Sequence, residues 1–376
     1  MIDGKIVVYA KEASNRAGCN YYRIYSPSLK MSERGNIVVC PSSQLNTLEE
    51  KDLWFNQSDI VFTQITSELM LEMMIYQKGK KRFVLDWDDN IFSLSPYNPA
   101  YKDHGCKEVK VTINGEEKML WEDGKNGFII EANKKRLSVF VECLRRADLI
   151  TTPSSILSGM FKKINKNVKV LKNFIDFNIW NPLHLPKDDK IRIGWQGGDS
   201  HFIDWCLVKD AVKEILEKNK NVILVIMGSR FGGIIKDLPQ DQVQIEGWLP
   251  VESYPYKFKT LNIDIGIAPL ENNEFNTAKS ELKWEEYSAL EIPCVCSNIP
   301  PYSFSVYDGD TGFLCNGKDE WVDTLQRLIN SKELRNSVGK EARKYVMNTY
   351  DLDKEVVQYE DAFKVLCGMK KELILH

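Results

Sequence analysis

Histidine is scarce in this 376-residue chain, and the nine cysteines include no CxxC pair. His104, His184, His201 and His376 lie far apart, in no Ser/His/Asp order that suggests a hydrolase. The cysteines also lack the Cys/His spacing of a zinc site, and an odd, unpatterned set fits a reducing cytosol. Cys294 and Cys296 alternate along an apolar stretch, as buried thiols on a strand would. Long apolar runs are missing too. "VILVIM" (Val222–Met227) is strand-sized and cannot span a bilayer. Met1 leads directly into the strand-like "KIVVYA" with no apolar signal core, so a cytoplasmic protein with at most peripheral membrane contact is expected. Neither sign of charge dominates: 50 Lys and Arg against 53 Asp and Glu exclude wholesale coating of a polyanion, though not a local basic groove.

What is present is an alternation of strands and helices. At 43% hydrophobic and 27% charged, the chain can bury two domain-sized cores. The first half reads as strands at "KIVVYA", "NIVVC", "DIVFTQ", "RFVLDW" and "DLITTP", with helical stretches such as "SELMLEMMIYQKGK" between several of them. A second series runs through "IRIGW", "VILVIM", "VQIEGW", "DIGIAPL", "PCVCS" and "GFLC". Both patterns predict doubly wound α/β domains on parallel sheets. "NIWNPLHLPKDDK" (Asn178–Lys190) reads as the linker between them, giving domains over 1–185 and 186–349. Lys107–Gly127 alternates polar and apolar residues around Asn114–Gly115, predicting a β-hairpin excursion from the first domain. Three amphipathic helices are expected at the end, with breaks near Ser331 and Tyr350.

Several segments carry candidate chemistry. In "NEFNTAKSELKWEEYSALEIPCVCSN", a helix begun near Lys279 puts Lys279, Lys283 and Glu286 on one face, with Ser280 in its first turn. That pattern fits a grip on phosphate and ribose hydroxyls. It fits a solvated Lys–Glu face as well. "IRIGWQGGDSHFIDW" ends a strand in Gly197–Gly198, with Asp199 or Ser200 able to cap a helix; paired glycines suit either a close phosphate or a plain turn. Trp248 follows the "VQIEG" strand, as a core residue or a base-stacking one. In the first half, "SNRAGCNYYRIYSP" offers Gly18, Tyr22 and Arg23. "RFVLDWDDN" gathers Asp86, Asp88 and Asp89 at a strand end, where mutual repulsion needs a use, in capping a helix or in binding hydroxyls. His104 follows closely, with a structural role equally open.

Several of these segments share a resemblance. "FNTAKSELKWEEYSALEIPCVCS" resembles the donor-site segment of group 1 (family 4-like) glycosyltransferases of the GT-B fold, and matches a branch reading "FN..KS..K..EY". The resemblance implies two Rossmann-like domains facing a central cleft, with a last helix over 350–376 crossing back to the first domain. It implies a retaining transfer from a nucleotide-diphosphate sugar, UDP-linked among the options, with no required cofactor and no metal. Asp86–Trp87–Asp88 spells a DxD motif, but that motif belongs to the other main glycosyltransferase fold. On this pattern Gly197, Gly198, Asp199, Trp248, Lys279, Ser280, Lys283 and Glu286 hold the donor. Asp88, Asp89 and Lys279 act at the reacting centre, and Gly18, Tyr22, Arg23 and His104 lie on the acceptor side. The family's earlier glutamate is replaced here by Ala278.

The acceptor stays open between a glycan or lipid-linked sugar and a hydroxymethylated DNA base, the latter placing a phage enzyme in its host's cytoplasm. Basic tracts "KGKKR", "KKR" and "FKKINKNVKVLK" in the first domain fit contact with DNA or anionic membrane, or ordinary solvated helix ends. No obligate protein partner is evident. A nucleotide-sugar epimerase and a non-catalytic binding protein are the alternatives.

Overall fold

The protein is described here by a computed structural model, which covers residues 4–12, 18–113, 115–183, 185–228 and 235–369. The strands are β1 Val7–Lys11, β2 Val38–Pro41, β3 Ile60–Thr63, β4 Arg82–Asp86, β5 Val109–Ile113, β6 Glu116–Trp121 and β7 Leu149–Thr152. They continue with β8 Val168–Val170, β9 Ile191–Gly197, β10 Val222–Gly228, β11 Val243–Gly247, β12 Ile265–Ala268, β13 Cys294–Ser297 and β14 Phe313–Cys315. Two six-stranded sheets result, ordered β2-β1-β3-β4-β7-β8 and β11-β10-β9-β12-β13-β14. Every strand pairing within them is parallel among the described residues. Parallel sheets are covered on both faces, which is why β3, β12 and β13 are buried end to end and read as unbroken apolar runs.

The chain forms two compact units. One holds residues up to Asp89, Ile129–Phe174 and Leu352 onward; the other holds Asn90–Phe128 and Ile175–Asp351. In the first, Ile6, Val8, Ile60, Phe62 and Val84 of the sheet pack with Leu352, Val356, Tyr359 and Phe363 from the end of the chain. Arg34 Nε and Asn36 Nδ2 both donate to the buried Glu360 carboxylate, at 2.7 and 2.9 Å, fixing that last helix (Val357–Leu366) in place.

In the second unit, Ile193, Trp195, Ile265, Ile267 and Val295 meet Trp205, Val208 and Val212 of helix Phe202–Lys218 and Leu325 of helix Lys318–Asn330. Helix Leu282–Ala289 lies hard against β12: a Cβ on Gly266 would fall 2.6 Å from the Tyr287 ring. Only glycine permits that approach.

Two expectations are corrected. The β5–β6 hairpin groups with the second unit rather than the first. It is anchored there by Trp121 Nε1, which donates to Pro96 O at 2.7 Å, and by Trp121 packing on Phe128 and Tyr101. Of its expected turn, Gly115 has φ of 83° and Asn114 lies outside the described residues. The linker expected over 178–190 is part of the second unit, because Trp180 is buried against Tyr254 and Phe258. His184 within it, and His376, lie outside the described residues. Strand β8 was not anticipated, since three residues inside a basic tract give no readable apolar period.

Candidate functional site

In the second sheet the chain runs outward from β9 through β10 to β11, then returns beside β9 to start β12, β13 and β14. The β9/β12 boundary is therefore a topological switch point, where the loops at the carboxyl ends part and ligands of such sheets bind. Gly197, Gly228 and Gly247 stand in register along this edge. Gly228 has φ of 125°, and a Cβ there would meet Gly197 O at 2.3 Å, so that position is closed to side chains. Gly198 differs: a Cβ there would find no atom within 4 Å. The backbone at Gly198 thus borders open space just before the turn Asp199–His201 and helix Phe202–Lys218. The Asp199 side chain lies outside the described atoms, and that helix proper has His201 in the N-cap position with no side-chain cap.

The helix expected from Lys279 begins at Leu282 instead. Lys279 is extended, with φ −66° and ψ 176°, and ends a short turn Asn276–Ala278. Competing hydrogen bonds explain the late start. Asn273 Oδ1 accepts from Asn276 N at 2.8 Å, and Asn276 Nδ2 donates to Asp204 Oδ1 at 2.7 Å and Glu271 O at 3.0 Å. The loop is pinned before a helix can form. Lys279 and Ser280 are therefore loop residues, and Lys279 Nζ lies 4.5 Å from the Phe275 ring centroid. Lys283 and Glu286, three apart on the true helix, still share a face.

A residue that sequence reasoning passed over organises this edge. Lys283 Nζ is 2.9 Å from His201 Nε2, and His201 Nδ1 is 2.7 Å from Asp204 Oδ2. Burial, then the neighbouring Lys283, pushes the His201 pKa down to about 3, so the imidazole is neutral. Burial also lowers Lys283, to about 7, with Asp204 acting against the shift and Lys279 adding to it. Burial works against an ionised Asp204, yet the His201 hydrogen bond keeps its pKa below the ordinary carboxylate value. His201 and Asp204 are three apart at a helix start, and that spacing in "DSHFIDW" was the available signal.

Glu286 is buried, and its Oε2 accepts from Gln196 Nε2 at 2.6 Å and Tyr254 OH at 3.0 Å. Tyr254 OH also donates to Gln196 Oε1, closing a three-residue ring. Gln196 lies on β9 directly before the glycines. Trp248 is 66% exposed, which removes the reading of a core tryptophan and leaves an aromatic face free at the end of β11.

In the first unit the aspartate cluster divides in two. Asp86 is fully buried: Arg23 Nη2 donates to Oδ2 at 2.7 Å and Nε to Oδ1 at 3.1 Å, while Thr151 Oγ1 and Gln64 Nε2 add bonds at 2.6 and 3.1 Å. Arg23 also donates to Leu171 O and to Asn173 Oδ1. Burial opposes its charge, but Asp86 more than restores it. Arg23 and Tyr22 are thus buried structural residues, which corrects their placement on the acceptor side. Asp88 and Asp89 keep partial exposure. Burial, then repulsion from Asp89, raises Asp88 to about 7. Gly18 is exposed, and a Cβ there would find open space. His104 ends the short helix Tyr101–His104 of the second unit, beside the hairpin.

Some residues of the basic tracts are engaged within the fold. Lys81 Nζ donates to Asn56 O and Ser58 O, Arg82 pairs with Asp148, and Lys135 pairs with Glu68. A cavity of about 580 Å³ lies at the amino-terminal edge of the second sheet, bordered by Ile191, Asp264 and Pro293. Its Lys187 is paired with Asp264, and it lies at the opposite edge from the Gly198 loop. Among the described residues no His, Cys, Asp or Glu group is placed to hold a metal ion, and no helix is long and apolar enough to cross a membrane.

Two doubly wound six-stranded parallel sheets of this kind make the GT-B fold. Residues 206–345 match the family model described as "Glycosyl transferases group 1". Over that segment the chain is similar to the group 1 glycosyltransferases, as the motifs suggested. It is 25% identical over 180 residues to a trehalose synthase of Pyrococcus horikoshii, covering 45% of this chain and 43% of that protein's length. Among solved structures it resembles HepE of Anabaena in complex with UDP and glucose, with TM-score 0.62, 14% identity, and 96% and 99% of the two chains covered. It also resembles sucrose-phosphate synthase of Thermosynechococcus elongatus, with TM-score 0.64, 12% identity, and 96% and 100% covered.

Proposed function

We propose that the protein is a retaining glycosyltransferase moving a sugar from a nucleotide-diphosphate sugar to a hydroxyl acceptor. The observation that carries this is the meeting of Lys279, Lys283 and the open Gly198 backbone at the switch point of the second sheet, bordering the segment that matches the group 1 family. Two lysines beside the open Gly198 backbone suit a diphosphate, whose charge grows as it leaves the sugar. Lysines at that leaving group favour the transition state over the ground state and so raise turnover. The HepE complex with UDP and glucose supports a uridine nucleotide as the first donor to try.

In this reading Trp248 stacks on the base and Glu286 accepts from the ribose hydroxyls, giving up its bond to Gln196 or Tyr254 as it does so. Asp88 and Asp89 bond hydroxyls at the edge of the first sheet, with Gly18 and His104 as further acceptor-side positions. No enzymic nucleophile is assigned: a leaving phosphate oxygen takes the acceptor proton in a front-face transfer, and no metal is required. The acceptor is a glycan or lipid-linked sugar hydroxyl, with hydroxymethylated DNA the second class, and the setting is the cytoplasm.

The deciding experiment measures nucleoside-diphosphate release from a panel of sugar nucleotides, with and without glycans, lipid-linked sugars and hydroxymethylated DNA. Acceptor-dependent release with an unchanged anomeric centre, read by NMR, is the expected result. Conversion of donor to an isomer without acceptor would instead make the protein an epimerase. Binding without release or conversion would make it a non-catalytic binder.

A further inference from the structure

We infer that Lys283 takes up a proton from solvent when a nucleoside diphosphate binds, and that His201, oriented by Asp204, is the positioning residue that holds the Lys283 Nζ in place. The inference rests on the reading of this edge as a diphosphate site. It is built from the inside outward.

Asp204 is 3% exposed and fixed on both oxygens. Oδ1 accepts from Glu271 N at 2.8 Å and from Asn276 Nδ2 at 2.7 Å, leaving Oδ2 for His201 Nδ1 at 2.7 Å. An ionised carboxylate can only accept, so Nδ1 carries the hydrogen and the tautomer is set. Nε2 of the neutral ring is then an acceptor, and Lys283 Nζ at 2.9 Å is the donor. A protonated imidazole would turn two donors toward each other. That conflict holds when Lys283 is charged; when Lys283 is uncharged, burial keeps the ring neutral.

Lysine in either state can make this one bond, so His201 positions Nζ without fixing its charge. The remaining hydrogens are available to an anion. Among the described residues no carboxylate forms an ion pair with Lys283. The titratable groups that face it are His201 and Asp204 from the helix Phe202–Lys218 and the turn before it, Lys279 from the pinned loop, Glu286 from its own helix, and Cys294 from β13. Lys279 opposes a second cation, and burial opposes any, which is why Lys283 is poised near neutrality. A diphosphate supplies the missing counter-charge and raises the Lys283 pKa again. The balance is simple: one proton passes from solvent to Nζ on binding and returns when the diphosphate leaves, with no other bond changed.

The test is titration calorimetry of the full chain with UDP, GDP and ADP at about pH 8, in buffers of different ionisation enthalpy. Uptake approaching one proton per site is expected for the nucleotide that binds. Its affinity should fall about ten-fold per unit between about pH 8 and 9. Lys283→Arg, charged throughout, should bind with no uptake and a flat profile, and Lys283→Met should bind weakly with no uptake. His201→Gln, which keeps an acceptor and cannot charge, should retain the uptake, whereas His201→Leu should lose about ten-fold or more in affinity. Tight binding without proton uptake in the unaltered protein, or unchanged uptake in Lys283→Arg, overturns the inference while leaving the donor site standing. Failure of all three nucleotides to bind overturns the donor-site reading, and this inference with it.

Discussion

At the residue scale, two of the three aspartates of the "DWDD" stretch, Asp86 and Asp88, do opposite jobs, and titration separates them. Asp86 is consumed by Arg23, Thr151 and Gln64, whereas Asp88 is held near pKa 7 by burial and by Asp89. A carboxyl whose folded pKa is raised binds a proton that the unfolded chain has already released. Its contribution therefore turns unfavourable as pH climbs from about 4 toward 7. Asp88→Asn should remove that slope, so the variant gains stability over the parent between about pH 4 and 7, seen as a growing difference in Tm that levels off above. Equal pH profiles for the two proteins would contradict the assigned environment. Lys279 belongs to the same scale. It lies in a loop rather than on the helix, and in the proposed transfer it stands beside the leaving diphosphate, so Lys279→Ala should lower kcat by about ten-fold or more with a smaller change in KM. Glu286→Ala should instead raise the Kd for donor, and it should also cost stability, since Gln196 and Tyr254 lose a buried acceptor.

At the element scale, two glycines of one strand edge predict different outcomes for the same kind of substitution. Gly228→Ala forces a side chain to φ 125° and into Gly197 O, and should cost several kcal/mol of stability, of order 2–5. Gly198→Val meets open space, so Tm should hardly move while donor binding is lost. A Gly198 variant that binds donor normally would remove the loop from the site. Elements also mark what the sequence could and could not convey. The central strands were legible because parallel strands buried on both faces are continuous apolar runs with few other readings. The breaks at Ser331 and Tyr350 were legible, but the last expected helix is split into Leu352–Glu355 and Val357–Leu366. The start of helix Leu282–Ala289 was not. It depends on Asn276 reaching Asp204, 72 positions away in sequence, and no local propensity encodes that bond. His201 was missed for the same reason: its meaning lies in Lys283, 82 positions on. The buried Arg23 read as a ligand-facing residue because an arginine's partner, here Asp86, is invisible in a linear pattern.

At the scale of the whole molecule, each unit is assembled from separate stretches of chain, and the last stretch belongs to the first unit. Leu352, Val356, Tyr359 and Phe363 are each 1% exposed or less within its core. Burying such side chains is worth about 1.5–3 kcal/mol apiece, so together they contribute on the order of the total stability of an ordinary domain. Glu360 adds its bonds to Arg34 and Asn36. The second unit draws none of its main apolar cluster from beyond Val338, and its own closing bond, Ile175 N to Tyr350 O at 2.7 Å, precedes Asp351. A chain ended after Asp351 should therefore lose the cooperative melting of the first unit while the second retains its fold. Nucleotide binding should survive and acceptor-dependent transfer should vanish. Calorimetric melting with and without UDP, beside the transfer assay, reads all three quantities. Loss of nucleotide binding along with the first unit would mean that the donor site is not contained in Ile175–Asp351 and its hairpin, and that the edge of β9 and β12 is not sufficient to hold it.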